Sequence, residues 1–138
     1  MLADLFIDTN ILVYAHDADA GNKHFTAKTL IEGLWTRREV PTLSVQVLQE
    51  LHVNLIRKGM KVVESDKIVS RYLSWRVLDN TRRLFRQALV VQARWQMSFW
   101  DAHIVAAAQQ AGVSTLWSED LAVGQDYDGP RVTDPLLS

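Results

Sequence analysis

The chain contains no cysteine in its 138 residues, so neither a disulfide framework nor a thiolate metal site can stabilise it, which fits a reducing compartment such as the cytoplasm. Long apolar runs are missing too. None approaches the roughly 20 residues that a membrane-crossing helix needs, so no membrane partner is expected. An excess of charge is also absent. With a formal net charge of −1, no global field draws the chain toward nucleic acid or a membrane surface, and a polyanionic substrate must be met by local basic residues or by metal ions. Proline and glycine are sparse and scattered, and no linker, low-complexity tract or internal repeat is visible. Asp4 and Asp8 interrupt the N-terminal apolar stretch without a basic leader, so no signal peptide is expected.

What is present reads as an ordinary globular protein. Apolar residues make up 48% and charged residues 22%, which is enough to bury a core and too apolar for disorder. The length suits one domain over residues 1–138. Strand and helix signals alternate. Strands are expected at residues 5–7, 40–43, 76–78 and 113–117, with a last edge strand at 131–132. Residues 17–22, polar and containing Gly21, read as a loop. Helices are expected at 24–35, from Ser44 to about Arg57, from Ser65 to Trp75, from Thr81 to about Trp95, and from Ser98 to Gln110, with a short one after Asp120. Val47, Leu48, Leu51 and Leu55 form an apolar stripe on the second of these, and Gly59 and Gly112 supply stops. Strands separated by helices predict an α/β fold of three layers, with a central parallel sheet flanked by helices.

Four acids stand out on this map. The first strand runs directly into one of them, in Leu5-Phe6-Ile7-Asp8-Thr9-Asn10-Ile11-Leu12-Val13-Tyr14. A carboxylate is costly to bury without a partner, and the C-terminal edge of an open parallel sheet is where such folds bind ligands. Asp101, in the first turn of the Ala-rich helix, and Asp120, after the late strand, are expected on the same edge. Glu50, between Leu48 and Leu51, would have to lean back toward it. Each has a structural reading as well. Asp101 completes a Ser98-x-x-Asp101 capping box, Glu50 can be a solvated helix acid, Asp120 can cap a short helix, and Asp8 can bond to turn amides.

The chain resembles the PIN domain family of metal-dependent ribonucleases over essentially its whole length. Within that family it looks most like the VapC-type toxins of bacterial toxin–antitoxin pairs. Phe6-Ile7-Asp8-Thr9-Asn10-Ile11-Leu12-Val13-Tyr14 matches the opening motif. Residues 44–51, with Gln49-Glu50, match the second acidic segment. Phe99-Trp100-Asp101-Ala102 followed by Ile104-Val105-Ala106-Ala107-Ala108 matches the third. Leu116-Trp117-Ser118-Glu119-Asp120-Leu121 resembles the fourth, where Glu119 adjoins Asp120 and the family pattern favours Asp120. The resemblance implies an endoribonuclease using Mg²⁺ or Mn²⁺, a homodimer, and a small antitoxin protein that blocks the site.

The chemistry accounts for the acids. Mg²⁺ and Mn²⁺ take oxygen ligands, and clustered carboxylates repel one another until a cation relieves them. Asp8 and Asp101 are assigned as the main ligands, Glu50 as a further ligand or as the group that positions the attacking water, and Asp120 as the acid completing the cluster. Asn10 and Ser118 are neutral hydrogen-bonders suited to orienting a carboxylate or a metal water. Thr9 can do the same or serve the turn. One metal or two is left open. His16, His24, His52 and His103 lack a zinc-site spacing, and His103 reads as a packing residue. Arg82, Arg83 and Arg86, with Arg37-Arg38 and Arg57-Lys58, can neutralise RNA phosphates or simply be solvated. Of the five Trp, an exposed one can stack on an unpaired RNA base.

Two alternatives remain beside this reading. Phosphatases of the haloacid-dehalogenase kind also place an Asp after an apolar first strand, but they need a second acid where this chain has Asn10. A PIN-like module that binds RNA or protein without cutting is the other, and the presence of all four acids weighs against it.

Overall fold

The structure is a computed structural model and describes residues 2–137. Five strands, β1 (Leu2–Ile7), β2 (Val40–Ser44), β3 (Arg76–Leu78), β4 (Thr115–Trp117) and β5 (Arg131–Thr133), form one sheet in the order β3-β2-β1-β4-β5. Every neighbouring pair is parallel. Parallel pairs need crossovers, and most of these are helical. They run through α1 (Thr9–His16), α2 (Asn22–Thr36), α3 (Val45–Arg57), α4 (Val62–Tyr72), α5 (Arg82–Trp95) and α6 (Phe99–Ala111). The result is the expected sheet flanked by helices.

β1 lies at the centre because its second half can be buried on both faces. Leu5, Phe6 and Ile7 are all buried, as a continuous apolar run in a parallel sheet demands. The strand order fixes where a ligand can go. From β1 the chain builds outward to β2 and β3, then returns to the other side of β1 to lay down β4 and β5. The order therefore reverses between β1 and β4, and a crevice opens beyond their C-terminal ends.

Some sequence expectations shift. The segment after Asp8 forms a helix, α1, that the sequence reading left unassigned. Ile11, Leu12, Val13 and Ala15 are all buried, so α1 shows no polar stripe from which a period can be read. α4 starts at Val62 after Lys61, which makes no side-chain cap, whereas Ser65 lies inside the helix, buried, with its Oγ 2.8 Å from His52 Nδ1. No helix follows Asp120. There the Ser118 hydroxyl accepts from the Asp120 and Leu121 amides, both at 3.2 Å, and closes a turn in place of a helix start. The caps at Ser44, Thr81 and Ser98 stand as expected, each side chain accepting from the amide three residues on. Gly112 ends α6 in the left-handed region, at φ 72°, where a side chain would be strained.

Candidate active site

The crevice at the β1/β4 reversal is where the acids meet. Asp8 follows β1 directly and caps α1, its Oδ1 accepting from the Thr9 amide at 2.7 Å. Its amide donates to the Trp117 carbonyl at 2.9 Å, so the ends of β1 and β4 stay zipped up to the site. That register sets Asp8 beside Ser118, whose hydroxyl donates to Asp8 Oδ2 at 2.9 Å. A cavity of about 110 Å³ lies here, lined by Asp8, Glu50, Asp101 and Asp120 together with Thr9, Asn10, Asn54, Trp100 and Ile104.

The neutral residues pair with the acids one by one. Glu50 does lean back toward the edge, and its Oε1 accepts from the Thr9 hydroxyl at 2.7 Å. Thr9 thus serves both the turn, through its amide, and an acid, through its side chain. Asn10 donates its amide to Asp120. Asp101 receives the Ser98 cap at its backbone amide, at 3.2 Å. Among the described residues its carboxylate does not return the bond to Ser98, so only half of the capping box forms, and the carboxylate lines the cavity. Glu119 points elsewhere. It accepts from Lys23 Nζ at 2.8 Å and from the Tyr14 hydroxyl, and those bonds outweigh its burial and hold its carboxyl below the usual range. Of the adjacent pair, Asp120 is the one at the cavity.

Electrostatically the site is under tension. Burial raises the Asp8 carboxyl to about 7; Asp120 and Glu50 push it the same way, and the Ser118 and Thr9 hydrogen bonds only partly oppose them. The Asp120 carboxyl is also raised, first by burial and then by Glu119, with Asp101 adding to it. A cluster whose members raise one another's pKa by proximity is short of positive charge.

The donor set fits a hard divalent cation: carboxylate oxygens without thiolate or imidazole. Among the described residues no three His, Asp or Glu side chains stand close enough to hold an ion by themselves. An ion held here would have to complete its coordination with waters. The cavity has room for such waters. The histidines do other work. His24 Nδ1 meets the Tyr14 carbonyl at 2.8 Å, His16 Nε2 meets the Tyr72 hydroxyl at 2.6 Å, and His103 is buried against Phe99.

Sequence reasoning missed Asn54, Trp100 and Ile104 as lining residues. Asn54 was within reach, since it lies four residues beyond Glu50 and so on the same helix face.

Comparison with known proteins agrees with this geometry. No sequence among the curated proteins matches the chain. Among solved structures, the fold is similar to VapC20 of Mycobacterium tuberculosis, a toxin that cleaves the sarcin–ricin loop, with a TM-score of 0.66 and 25% identity over 90% of this chain and 92% of that one. It is also similar to VapBC2 of Rickettsia felis bound to a DNA fragment from its promoter, with a TM-score of 0.62 and 19% identity over 87% and 89% of the two chains, a likeness of fold alone. The PIN domain family matches residues 5–124, a span that runs from inside β1 past Asp120. The sheet order, the acids at its reversal and that match agree: the chain belongs to the PIN domain family, whose members are nucleases.

Proposed function

We propose that the chain, as a single domain over residues 1–138, is a Mg²⁺- or Mn²⁺-dependent endoribonuclease that hydrolyses RNA phosphodiester bonds. In this reading it is the cytoplasmic toxin of a toxin–antitoxin pair. The observation that carries the proposal is the meeting of Asp8, Glu50, Asp101 and Asp120 around one cavity at the sheet's reversal, although they come from distant points in the chain. The likeness to VapC20, an RNA-cleaving toxin, supports RNA as the substrate. The VapC resemblance also implies a homodimer and a cognate antitoxin.

Asp8 and Asp101 would hold the ion, with Asp120 and Glu50 completing its surroundings directly or through water. When bound, the ion supplies an activated water and charge stabilisation at the leaving oxygen. The rest falls to the chain's own groups. Ser118 and the Thr9 amide fix both oxygens of Asp8. Thr9 holds one oxygen of Glu50 and leaves the other free to orient an attacking water. Asn10 fixes Asp120. Such supporting bonds keep ligands in a single orientation.

The test is thermal unfolding titrated with Mn²⁺, for the wild type and Asp101→Asn in parallel, beside RNA cleavage in Mn²⁺ and in EDTA. An ion that binds only the folded state stabilises it by about 2.7 kcal/mol at a hundredfold excess over Kd. The expected result is a wild-type rise that vanishes in the variant, together with cleavage that EDTA abolishes. No rise at millimolar Mn²⁺ and no cleavage would refute the enzyme reading and leave a binding module.

A further inference from the structure

A second, larger cavity of about 530 Å³ adjoins the acidic one and shares Glu50, Asn54 and Trp100 with it. Its volume is that of a small-molecule site. The remaining lining comes from α3, through Gln46, Gln49, Val53 and Arg57. Steps of three and four residues separate positions 46, 49, 50, 53, 54 and 57, so one face of α3 forms the wall. Two features of this cavity are only partly used by the fold, Trp100 through an edge-to-face contact with Phe99 at 5.1 Å and Gln46 through one end of its amide. Trp100 is 64% exposed although it is the largest apolar side chain beside the acids. Gln46 is only 4% exposed, and its Nε2 donates to the Trp100 carbonyl at 3.2 Å, yet its Oε1 is buried with no partner among the described residues. The donated bond fixes which end of the amide is which, so the orphan is an acceptor. Buried acceptors are rarely left unpaired, and a water, an ion or a ligand ordinarily completes them.

We propose that this cavity is a subsite for an unpaired base of the RNA strand, stacked on Trp100 and read by Gln46. The inference rests on the ribonuclease reading above and deepens it by naming part of the substrate. Unpaired bases are typically held by an aromatic face together with hydrogen bonds to their edges. The exposed indole supplies the face. Gln46 lines the cavity, and its Oε1, which still demands a donor, is the acceptor it offers there. The exocyclic amines of adenine, cytosine and guanine meet that demand. Uracil meets it poorly, because its ring N–H is flanked by two carbonyl oxygens that would crowd the acceptor. Gln49 and Asn54 add amide groups at the rim, and exposed Arg57, with no ion-pair partner among the described residues, is available to a phosphate. Because Glu50 and Asn54 belong to both walls, a base seated here has its backbone at the acids.

The test is binding in EDTA, where nothing is cut. Ten-nucleotide oligo(A), oligo(C), oligo(U) and an abasic oligomer are titrated against wild type, Trp100→Ala, Trp100→Phe and Gln46→Leu. The wild type should prefer oligo(A) and oligo(C) to oligo(U) by about fivefold to tenfold, the worth of one hydrogen bond. Trp100→Ala should weaken both by about tenfold or more and spare the abasic oligomer, and Trp100→Phe should recover most of the loss. Gln46→Leu should bring both down to the oligo(U) level. Trp100 is exposed, so its variants test stacking even where the buried Gln46 substitution harms folding. Equal binding of all oligomers by the wild type would overturn the subsite, and so would unchanged binding by Trp100→Ala. A Trp100→Ala variant that loses a second copy or a protein partner while keeping its RNA affinity would overturn it as well. The two readings fail separately. Base preference without Mn²⁺-dependent cleavage refutes the enzyme alone, and cleavage without base preference refutes the subsite alone.

Discussion

α1 carries an ionisable group at each end, and the two ends are treated differently. The helix dipole favours an anion at the N-terminus and a cation at the C-terminus, where Asp8 and His16 stand. Burial defeats the dipole at both. It raises Asp8 to about 7 and lowers His16 to about 4, so each group is held toward its neutral form. The surroundings then diverge. His16 meets the Tyr72 hydroxyl in an aromatic corner where Trp35 and Trp75 stack at 4.7 Å between centroids. Asp8 meets three more acids across a cavity. One desolvation cost is offset within the chain. The other is left for something the chain does not contain. Both groups lie beside a cavity and feel like charge, Arg71 and His24 in the case of His16, but only Asp8 faces a lining of carboxylates with no cation among them, and that marks a binding site.

The largest effect expected from breaking this contrast is at Asp8. Asp8→Asn should lower RNA cleavage by more than the 10–100-fold that loss of a supporting partner costs, because it removes a ligand itself. Its effect on stability should run the other way. The folded carboxyl titrates near 7 and the unfolded one near 3.8, so between those values the folded state keeps a proton that the unfolded state has released. The Asp8 contribution to metal-free stability therefore falls as pH rises from about 4 to 7, against an opposite contribution from His16, lowered to about 4 when folded, over most of that window. Denaturant melts in EDTA across that range should show this slope in the difference between wild type and Asp8→Asn, and the variant should be the more stable protein at pH 8. Mn²⁺ should rescue the wild type at pH 8 and leave the variant unmoved. A variant that is less stable than wild type at pH 8 in EDTA would mean that the Asp8 bonds outweigh its burial.

The opposite end predicts a smaller change, confined to stability. Tyr72→Phe leaves the buried ring nitrogen of His16 without its partner and should cost about 1–3 kcal/mol in denaturant unfolding. RNA cleavage should stay at the wild-type level. The acid limb is also set here. His16 titrates near 4 when folded and near 6.5 when unfolded, so its own contribution, full above 6.5, should drain as pH falls toward 4, opposing the gain from Asp8. His16→Phe should remove that contribution and leave the Asp8 slope standing alone, whatever it does to the plateau. If Tyr72→Phe lowers cleavage, the two ends of α1 are coupled and the contrast fails.

The same contrast explains what could be read in the sequence. The second half of β1 was legible because both its faces are buried and Leu5, Phe6 and Ile7 form one apolar run, whereas the half from Leu2 to Asp4 was not. The caps of α3, α5 and α6 were legible because Ser44, Thr81 and Ser98 act over three residues and need nothing distant. α1 was not, because tertiary burial on all sides erased its period. Ser65 misled for a related reason: its hydroxyl is used by His52, from another helix. At the site, the four acids were legible by position, whereas their partners could be paired only through the fold. That Thr9 serves Glu50 while Asn10 serves Asp120 depends on how α1 faces α3 on one side and the turn after β4 on the other. Trp100 stood in the third motif, but which of the five Trp is exposed, and that Gln46 holds an orphan amide oxygen, are recognisable only once burial is known.

The start of α6 repeats the contrast within a single helical turn and yields the smallest expected effect. Ser98 and Asp101 read in sequence as one capping device, but the structure divides the work. The Ser98 hydroxyl accepts from the Asp101 amide, and the Asp101 carboxylate lines the cavity. Ser98→Ala should then cost about 1 kcal/mol of stability, the ordinary worth of an N-cap, and should change cleavage little. Asp101→Asn should do the reverse, because the backbone amide that Ser98 caps is unchanged while a carboxylate is lost. Melts and cleavage assays on the two single variants and the double variant decide the matter. Effects that add independently, one in stability and one in rate, fit a cap and a separate ligand. If Asp101→Asn instead destabilises as much as Ser98→Ala and the double variant costs no more than either, Asp101 is part of the cap after all. The cavity would then have three acids for its chemistry.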